Sequence, residues 1–352
     1  MKGANKTLII LTPGFPANEA DSTCMPFPQL FVKTIKQLEP SLQIIVLAFQ
    51  YPFVESTYSW NNITVIAFNG QSRGKLQRLL LWRKIWKRLN AIVQENNVIG
   101  ILSLWLGEAA LIGKYAAKKH RIPFFTWVLG QDAKPGNRYF SLIRPQARNL
   151  VALSDFLATT FSNNYHIMPA HIIPPGIDTK NFPDKVSIRD IDILGAGSLI
   201  PLKQYEIFIK VVGIIIQVHP GIRAKICGDG PERIRLQRLI NDNGLSANIE
   251  LCGELPHDEV LELMLRSKIF LHPSSYEGFA TVLTEALYAG CQIVCFCKPM
   301  RTVFENQHVV MTGNEMIEKT LILLEDQHLS YNSVITWPIE ESCQKMLALF
   351  GI

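Results

Sequence analysis

The chain has no segment of about 18 uninterrupted apolar residues, the length that crosses a bilayer as a helix. Even Val211–Val218 is interrupted by Gly213 and Gln217. The apolar run Leu8–Leu11 follows the polar stretch Met1–Asn5 and stops at Pro13, too short for a signal-peptide core. The expected compartment is the cytoplasm. Cysteine is sparse, with 7 residues and no disulfide framework in their spacing. Cys291, Cys295 and Cys297 have no histidine partner at zinc-finger spacing, and Gln292–Cys297 reads as a buried strand. They are expected to be small core residues, and no metal site is expected. Charge of one sign is also scarce: the formal net charge of +5 suits an anionic ligand or an anionic membrane surface and is too small to argue for nucleic acid.

What is present is a folded composition, 48% hydrophobic and 18% charged, in 352 residues, enough for two domains. Strand-like and helix-like segments alternate throughout, which predicts α/β architecture with parallel sheets. Thr7–Leu11, Gln43–Ala48, Gly100–Leu104, Phe124–Val128 and Leu150–Leu153 read as strands, with helices over Gln29–Leu38 and Gly107–Lys119. A second series has strands at Ile191–Gly195, Ala224–Cys227, Ile249–Cys252, Ile269–His272 and Ile293–Phe296, the first four each followed by a helix. The polar, proline-bearing stretch Pro174–Arg189 joins the two series, and Pro338–Phe350 reads as a last helix. Ligands of open parallel sheets bind beyond the carboxyl ends of the strands, so two such halves facing one another would hold substrate in a cleft.

The most informative stretch is Pro273-Ser-Ser-Tyr-Glu277-Gly278-Phe279-Ala280-Thr281-Val-Leu-Thr-Glu285-Ala-Leu-Tyr-Ala-Gly290. It sets Glu277 in the loop after a buried strand and Glu285 about one turn into the following helix. The free N–H groups and dipole of a helix start suit a phosphate. Two carboxylates beside it can take two hydroxyl-rich groups, a combination that describes a nucleotide sugar.

This run resembles the Glu-x7-Glu signature of retaining glycosyltransferases of the GT-B fold, in particular glycosyltransferase family 4. The resemblance implies two Rossmann-like domains and a last helix that crosses back onto the first. It sets the domains at 1–182 (acceptor side) and 183–337 (nucleotide-sugar binding), with the crossover helix at 338–352. Glu277 would contact the donor sugar and Glu285 the ribose, with the backbone of Gly278, Phe279, Ala280 and Thr281 near the donor. Gly195-Ala-Gly197-Ser198-Leu-Ile-Pro-Leu-Lys203 resembles the family's Gly-Arg-Leu-x-x-x-Lys segment, which supplies cations to the diphosphate. Lys203 matches its lysine, or is a solvated helix-start residue; Ser198 replaces the arginine, which halves the expected positive charge. Cys227-Gly228-Asp-Gly230-Pro231 resembles the Gly-x-Gly-Pro turn that closes over the donor, or is a plain strand–helix turn. Cys252-Gly-Glu254-Leu255-Pro256 resembles the loop whose backbone reads the base.

In the first half the resemblance is looser. Gly14, in Thr12-Pro-Gly-Phe-Pro16, would lie near the donor phosphate, although the paired glycines of relatives are absent. Leu129-Gly-Gln-Asp132 resembles a His-Gly-x-Asp segment with leucine for histidine; Asp132 is the acceptor-side candidate, or a turn cap. Pro174-Pro-Gly-Ile-Asp178 resembles a hinge-region motif. Wound as a helix, Gly74–Asn90 sets Arg83, Lys84, Lys87 and Arg88 opposite Leu79, Trp82, Ile85, Trp86 and Leu89. That is the pattern of an interfacial helix or of a packed helix with a solvated basic face. The expected activity is metal-independent, retaining transfer of a sugar from a UDP- or GDP-linked donor, with no cofactor. The acceptor would be a glycan or a lipid-linked precursor of polysaccharide, at the inner face of the membrane. The alternative is a catalytically inactive GT-B binding subunit.

Overall fold

The computed structural model describes residues 5–21, 24–71, 74–184 and 188–352, and the side chain of Lys75 is not among what it describes. Part of the polar start (Met1–Ala4) and part of the expected linker (Lys185–Ser187) lie outside the described residues. The chain divides into two compact units: residues up to Pro175 together with Ile339–Ile352, and Gly176–Pro338.

In the first unit the strands are β1 (Lys6–Gly14), β2 (Gln43–Tyr51), β3 (Ser56–Trp60), β4 (Ile63–Ala67), β5 (Asn97–Leu104), β6 (Phe124–Val128), β7 (Leu150–Ala152) and β8 (His171–Ile172). Between them run helices α1 (Pro26–Leu38), α2 (Lys75–Glu95), α3 (Glu108–His120), α4 (Arg138–Ile143) and α5 (Asp155–Tyr165). The sheet order is β3-β4-β2-β1-β5-β6-β7-β8, parallel except for the β3–β4 pair. Strand β1 lies in the middle, and its Leu8, Ile9, Ile10 and Leu11 are fully buried. Each such side chain contributes about 1.5–3 kcal/mol of hydrophobic stabilisation. The sequence reading passed over the β3–β4 hairpin. Its turn is Asn61-Asn62, both at positive φ (48° and 61°), which asparagine tolerates and a two-residue hairpin requires.

The second unit has strands β9 (Ile191–Ala196), β10 (Ala224–Cys227), β11 (Ile249–Gly253), β12 (Ser267–His272), β13 (Gln292–Cys295) and β14 (Gln307–Val309). Its helices are α6 (Tyr205–Ile215), α7 (Arg233–Asp242), α8 (His257–Leu265), α9 (Thr281–Tyr288) and α10 (Gly313–Glu325). The order β11-β10-β9-β12-β13-β14 is parallel throughout. Successive strand residues serve opposite faces. Ile193, Ile269 and Val294 pack with α6, α7 and α10, whereas Leu194, Phe270 and Ile293 pack with α8 and α9.

The last helix, α11 (Ile339–Ala348), belongs to the first unit and packs on α1, where the Cys343 thiol donates to the Phe31 carbonyl at 3.6 Å. Phe350 ends the segment over Gly100 of β5, where a Cβ would fall 2.4 Å from its ring. Both units are Rossmann-like α/β domains. The expected boundary after residue 182 falls instead between Pro175 and Gly176, because Ile177 pairs with Pro338 inside the second unit.

Candidate functional site

In the second unit the strand order reverses between β9 and β12, and the crevice at such a switch point is where open α/β sheets take ligands. Lys203 follows β9 and Glu277 follows β12. The Lys203 ammonium lies 2.6 Å from Glu277 Oε1, and His272 Nε2, on the last residue of β12, lies 3.1 Å from the same oxygen. Lys203 and Glu277 side chains are 17% and 13% exposed, so the charges are largely shielded yet reachable. Burial by itself would raise the Glu277 carboxyl, but the His272 hydrogen bond and the Lys203 charge outweigh it and hold its pKa at about 2. Burial pushes His272 down, so the imidazole stays neutral and its Nε2–H donates to the ionised carboxylate.

Two serines of the signature run explain how Lys203 comes to this place. The short 3-10 turn Pro201–Lys203 is tied to the β12–α9 loop through the Leu202 carbonyl. That carbonyl accepts from the Ser275 amide (3.0 Å), the Ser275 hydroxyl (3.1 Å) and the Ser274 hydroxyl (3.3 Å). The loop that carries Glu277 therefore also holds the lysine. Helix α9 begins after Ala280, which sits in the left-handed region (φ 63°) and gives no side-chain cap; the Leu283 amide turns back to the Ala280 carbonyl (2.9 Å), so the amides of Thr281 and Val282 remain for a ligand.

Around this centre the predicted positions divide. Glu285 is in the middle of α9, its Oε1 2.9 Å from His257 Nε2; that contact raises the His257 pKa above its ordinary value. The glycines after β9, β10 and β11 are in mutual contact. A Cβ on Gly228 would fall 2.1 Å from the Gly197 carbonyl oxygen and one on Gly230 2.5 Å from that of Leu199, while the Gly228 amide donates to Gly253 at 2.7 Å. Gly228 and Gly230 thus serve close backbone approach between the turns. Ser198 and Glu254 are exposed, and Leu255 packs half-buried on the core. Phe279 is buried edge-on against Trp337 (5.3 Å), so of the Gly278–Thr281 stretch it offers a ligand only backbone. His272, His257 and the Ser274–Ser275 tether were not singled out from the sequence. A histidine closing an otherwise apolar strand was the signal available for the first.

In the first unit, Gly14 ends β1 and is buried against Met25 and Tyr51. Asp132 does not offer a free carboxylate. Its two oxygens accept from the amides of Leu106 (2.8 Å), Gly130 (2.8 Å) and Leu129 (3.1 Å), which is the turn-capping alternative. Helix α2 corrects the expected faces. Leu81, Ile85 and Leu89 are buried, whereas Leu79 is 58% exposed, together with Leu76 (79%) and Leu80 (66%). Both tryptophans are half-buried: Trp82 donates to Glu108 (3.2 Å), and the Lys119 ammonium lies over Trp86 (5.6 Å). Arg83, Lys84, Lys87 and Arg88 are exposed, with Lys84 paired to Glu55. Among the described residues no helix is long and apolar enough to cross a membrane, and no cluster of His, Cys, Asp and Glu is placed to hold a metal ion.

Comparison with known proteins converges on the second unit. Residues 178–333 match the family described as Glycosyl transferases group 1. The gpi3 subunit of phosphatidylinositol N-acetylglucosaminyltransferase from Schizosaccharomyces pombe is 35% identical over 126 residues, 35% of this chain and 28% of that protein. The N-acetylgalactosamine-N,N'-diacetylbacillosaminyl-diphospho-undecaprenol 4-alpha-N-acetylgalactosaminyltransferase of Campylobacter jejuni is 26% identical over 44% of this chain and 43% of that protein. The matches thus span less than half the length of these relatives. Among solved structures, Anabaena HepE in complex with UDP and glucose superposes with a TM-score of 0.68 at 18% identity, covering 98% of this chain and 95% of that one. The two units thus share the fold of solved GT-B glycosyltransferases, and residues 178–333 are similar to the glycosyl transferases group 1 family.

Proposed function

We propose that this protein is a retaining, metal-independent glycosyltransferase that moves a sugar from a UDP- or GDP-linked donor to the hydroxyl of a lipid or lipid-linked glycan. The observation that carries this reading is the Glu277 carboxylate, ionised and held by Lys203 and His272 on one oxygen, beside the uncapped start of α9. The Lys203 ammonium and the α9 amides stabilise the departing diphosphate, on which negative charge grows as the bond breaks. Glu285 accepts from the ribose hydroxyls. Glu277 orients the donor sugar and favours positive charge at the anomeric carbon. The anomeric carbon–phosphate oxygen bond breaks, the acceptor oxygen bonds to that carbon on the same face, and its proton passes to the leaving phosphate oxygen. The one Asp-x-Asp in this unit, Asp190-Ile-Asp192, is at the amino end of β9, paired to Arg266 (2.6 Å) and Lys268 (2.8 Å), away from the strand ends that carry the site.

The acceptor belongs to the first unit in this reading. Leu76, Leu79, Leu80, Arg83, Lys84 and Lys87 recur at helical spacing on one outward face of α2, leucines first and cations after. Apolar side chains beside cations match the apolar interior and anionic surface of a cytoplasmic leaflet, so the protein is peripheral there. The two relatives above are named for acceptors built on phosphatidylinositol and diphospho-undecaprenol.

Calorimetric titration of UDP and GDP in the presence of EDTA tests the donor site. One nucleotide should bind saturably, and Glu285→Ala should weaken it about tenfold or more, a lost charge-assisted hydrogen bond being worth roughly 1.5–3 kcal/mol. Failure of both nucleotides to bind the native chain would remove the reading.

A further inference from the structure

The first unit has its own switch point, between β1 and β5, and a cavity of about 210 Å³ opens there. Pro13 lines it from the end of β1 and Trp105 from the end of β5; Arg78 comes from α2, Glu108 from the start of α3, and Arg138 and Tyr139 from the start of α4. The walls are fixed in advance. Trp105 is held in the left-handed region (φ 64°), a conformation costly for an aromatic residue. Its turn is anchored from behind by the Asp132 carboxylate on the Leu106 amide. The Asn137 amide group donates to the Leu106 carbonyl (2.8 Å), and its oxygen caps α4, so the same network sets Arg138 and Tyr139.

The chemistry is mixed in a particular way. Glu108 is 9% exposed and accepts from Trp82 Nε1, with the Arg78 guanidinium 3.8 Å from it. Arg138, exposed, lies over the Tyr139 ring at 5.1 Å and donates one N–H to the Tyr139 hydroxyl (3.4 Å), which leaves its other N–H groups for a ligand. Two guanidiniums against one carboxylate leave a net positive charge for an anion, and arginine binds phosphate oxygens in pairs. The carboxylate suits ring hydroxyls, and the Trp105 and Tyr139 side chains supply flat apolar faces.

The geometry points to this cavity as a binding site for a hydroxylated ring that carries a phosphate. Arg78 and Arg138 hold the phosphate, Glu108 a ring hydroxyl, and Asp132 and Asn137 act as positioning residues. The inference rests on the glycosyl-transfer reading only in naming that ring the acceptor. Arg78 lies between Leu76 and Leu79–Leu80 on α2, so a phosphate joined to a lipid would have its tail beside exposed leucines.

The test is calorimetry on the full chain, with and without UDP, using myo-inositol 1-phosphate, glucose 1-phosphate, myo-inositol and inorganic phosphate. At least one phosphorylated ring should bind about tenfold or more tightly than both unphosphorylated inositol and inorganic phosphate. Arg78→Gln and Arg138→Gln should each weaken it about tenfold at unchanged melting temperature. Phosphatidylcholine vesicles with and without phosphatidylinositol separate the sources: Arg78-dependent binding only to the doped vesicles identifies a lipid headgroup, and binding in solution alone identifies a free phosphosugar. No saturable binding of either phosphorylated probe in either condition, or binding untouched by both substitutions, overturns the inference. UDP titrated alone reports on the donor site separately, so a chain that binds the phosphorylated ring but no nucleotide would refute the donor reading and keep this one.

Discussion

Lys203 and Glu277 are 74 residues apart in sequence and 2.6 Å apart in space, joined across the switch point of the second sheet. In this partly shielded site the Lys203 ammonium helps to hold Glu277 ionised, and in the proposed reading an arriving diphosphate meets an ammonium already in place. Lys203→Ala should therefore depress turnover even at saturating donor, on the order of 10²-fold, the usual cost of one preorganised electrostatic contact. Glu277→Gln should lower turnover comparably while leaving nucleoside-diphosphate affinity nearly unchanged, read by steady-state kinetics beside calorimetry. Equal losses of nucleotide affinity in both variants would mean that the pair is only structural.

The same pair makes stability depend on pH in a definite direction. Glu277 sits at about 2 in the folded chain against an ordinary 4.5, so its contribution is complete above 4.5 and disappears as pH falls through about 2. In acid-unfolding curves Glu277→Gln should lose stability less steeply than the native chain between these values. Parallel curves would show that the depressed carboxyl is not linked to folding.

His257 bears on Glu285, the carboxylate proposed to hold the ribose. Its contact with Glu285 raises its pKa above the ordinary 6.5, so the protonated pair persists below that folded value and loosens as pH rises through it. Glu285 is then freed for ribose hydroxyls, and nucleotide affinity should increase over that interval. His257→Gln should flatten the profile in calorimetry from pH 6 to 9. A profile that stays steep in the variant would assign the titration elsewhere.

Helix α2 should bind anionic vesicles reversibly through its outward face. Replacing Leu76, Leu79 and Leu80 with serine, or Arg83, Lys84 and Lys87 with glutamate, should abolish flotation with the vesicles; each cation near such a surface contributes about 1 kcal/mol. The half-buried tryptophans predict the opposite for their own substitution: Trp86→Phe should leave flotation intact. Attachment should weaken as salt rises, because exposed charges are screened within about 8–10 Å at physiological ionic strength. Flotation lost with Trp86→Phe alone would return the contact to the tryptophan face.

Strands of the second sheet could be read from sequence because buried parallel strands are short apolar runs bounded by glycine and proline; Ala224–Cys227 is the same in both. Lys203 and Glu277 were readable as single residues within known spacings. Their meeting was not, because it depends on the Leu202 carbonyl accepting from two serines across the sheet, a tertiary contact without periodicity. The faces of α2 were misjudged at Leu79 because a helical wheel orders residues around an axis but does not say which arc the sheet covers. Asp132 stayed open between ligand group and turn cap for a similar reason: a carboxylate in a glycine-bearing turn reads alike whether it points to substrate or to backbone amides.

Donor breakdown followed by proton NMR tests the central claim most directly. The purified chain is incubated with UDP-N-acetylglucosamine, UDP-glucose or GDP-mannose in EDTA, with the anomeric signals of the released sugar recorded before mutarotation. The account predicts slow consumption of one donor, release of sugar with the donor's own anomeric configuration, and loss of the signal in Lys203→Ala and Glu277→Gln. Inverted sugar, a strict need for added divalent metal, or no consumption of any donor would contradict it.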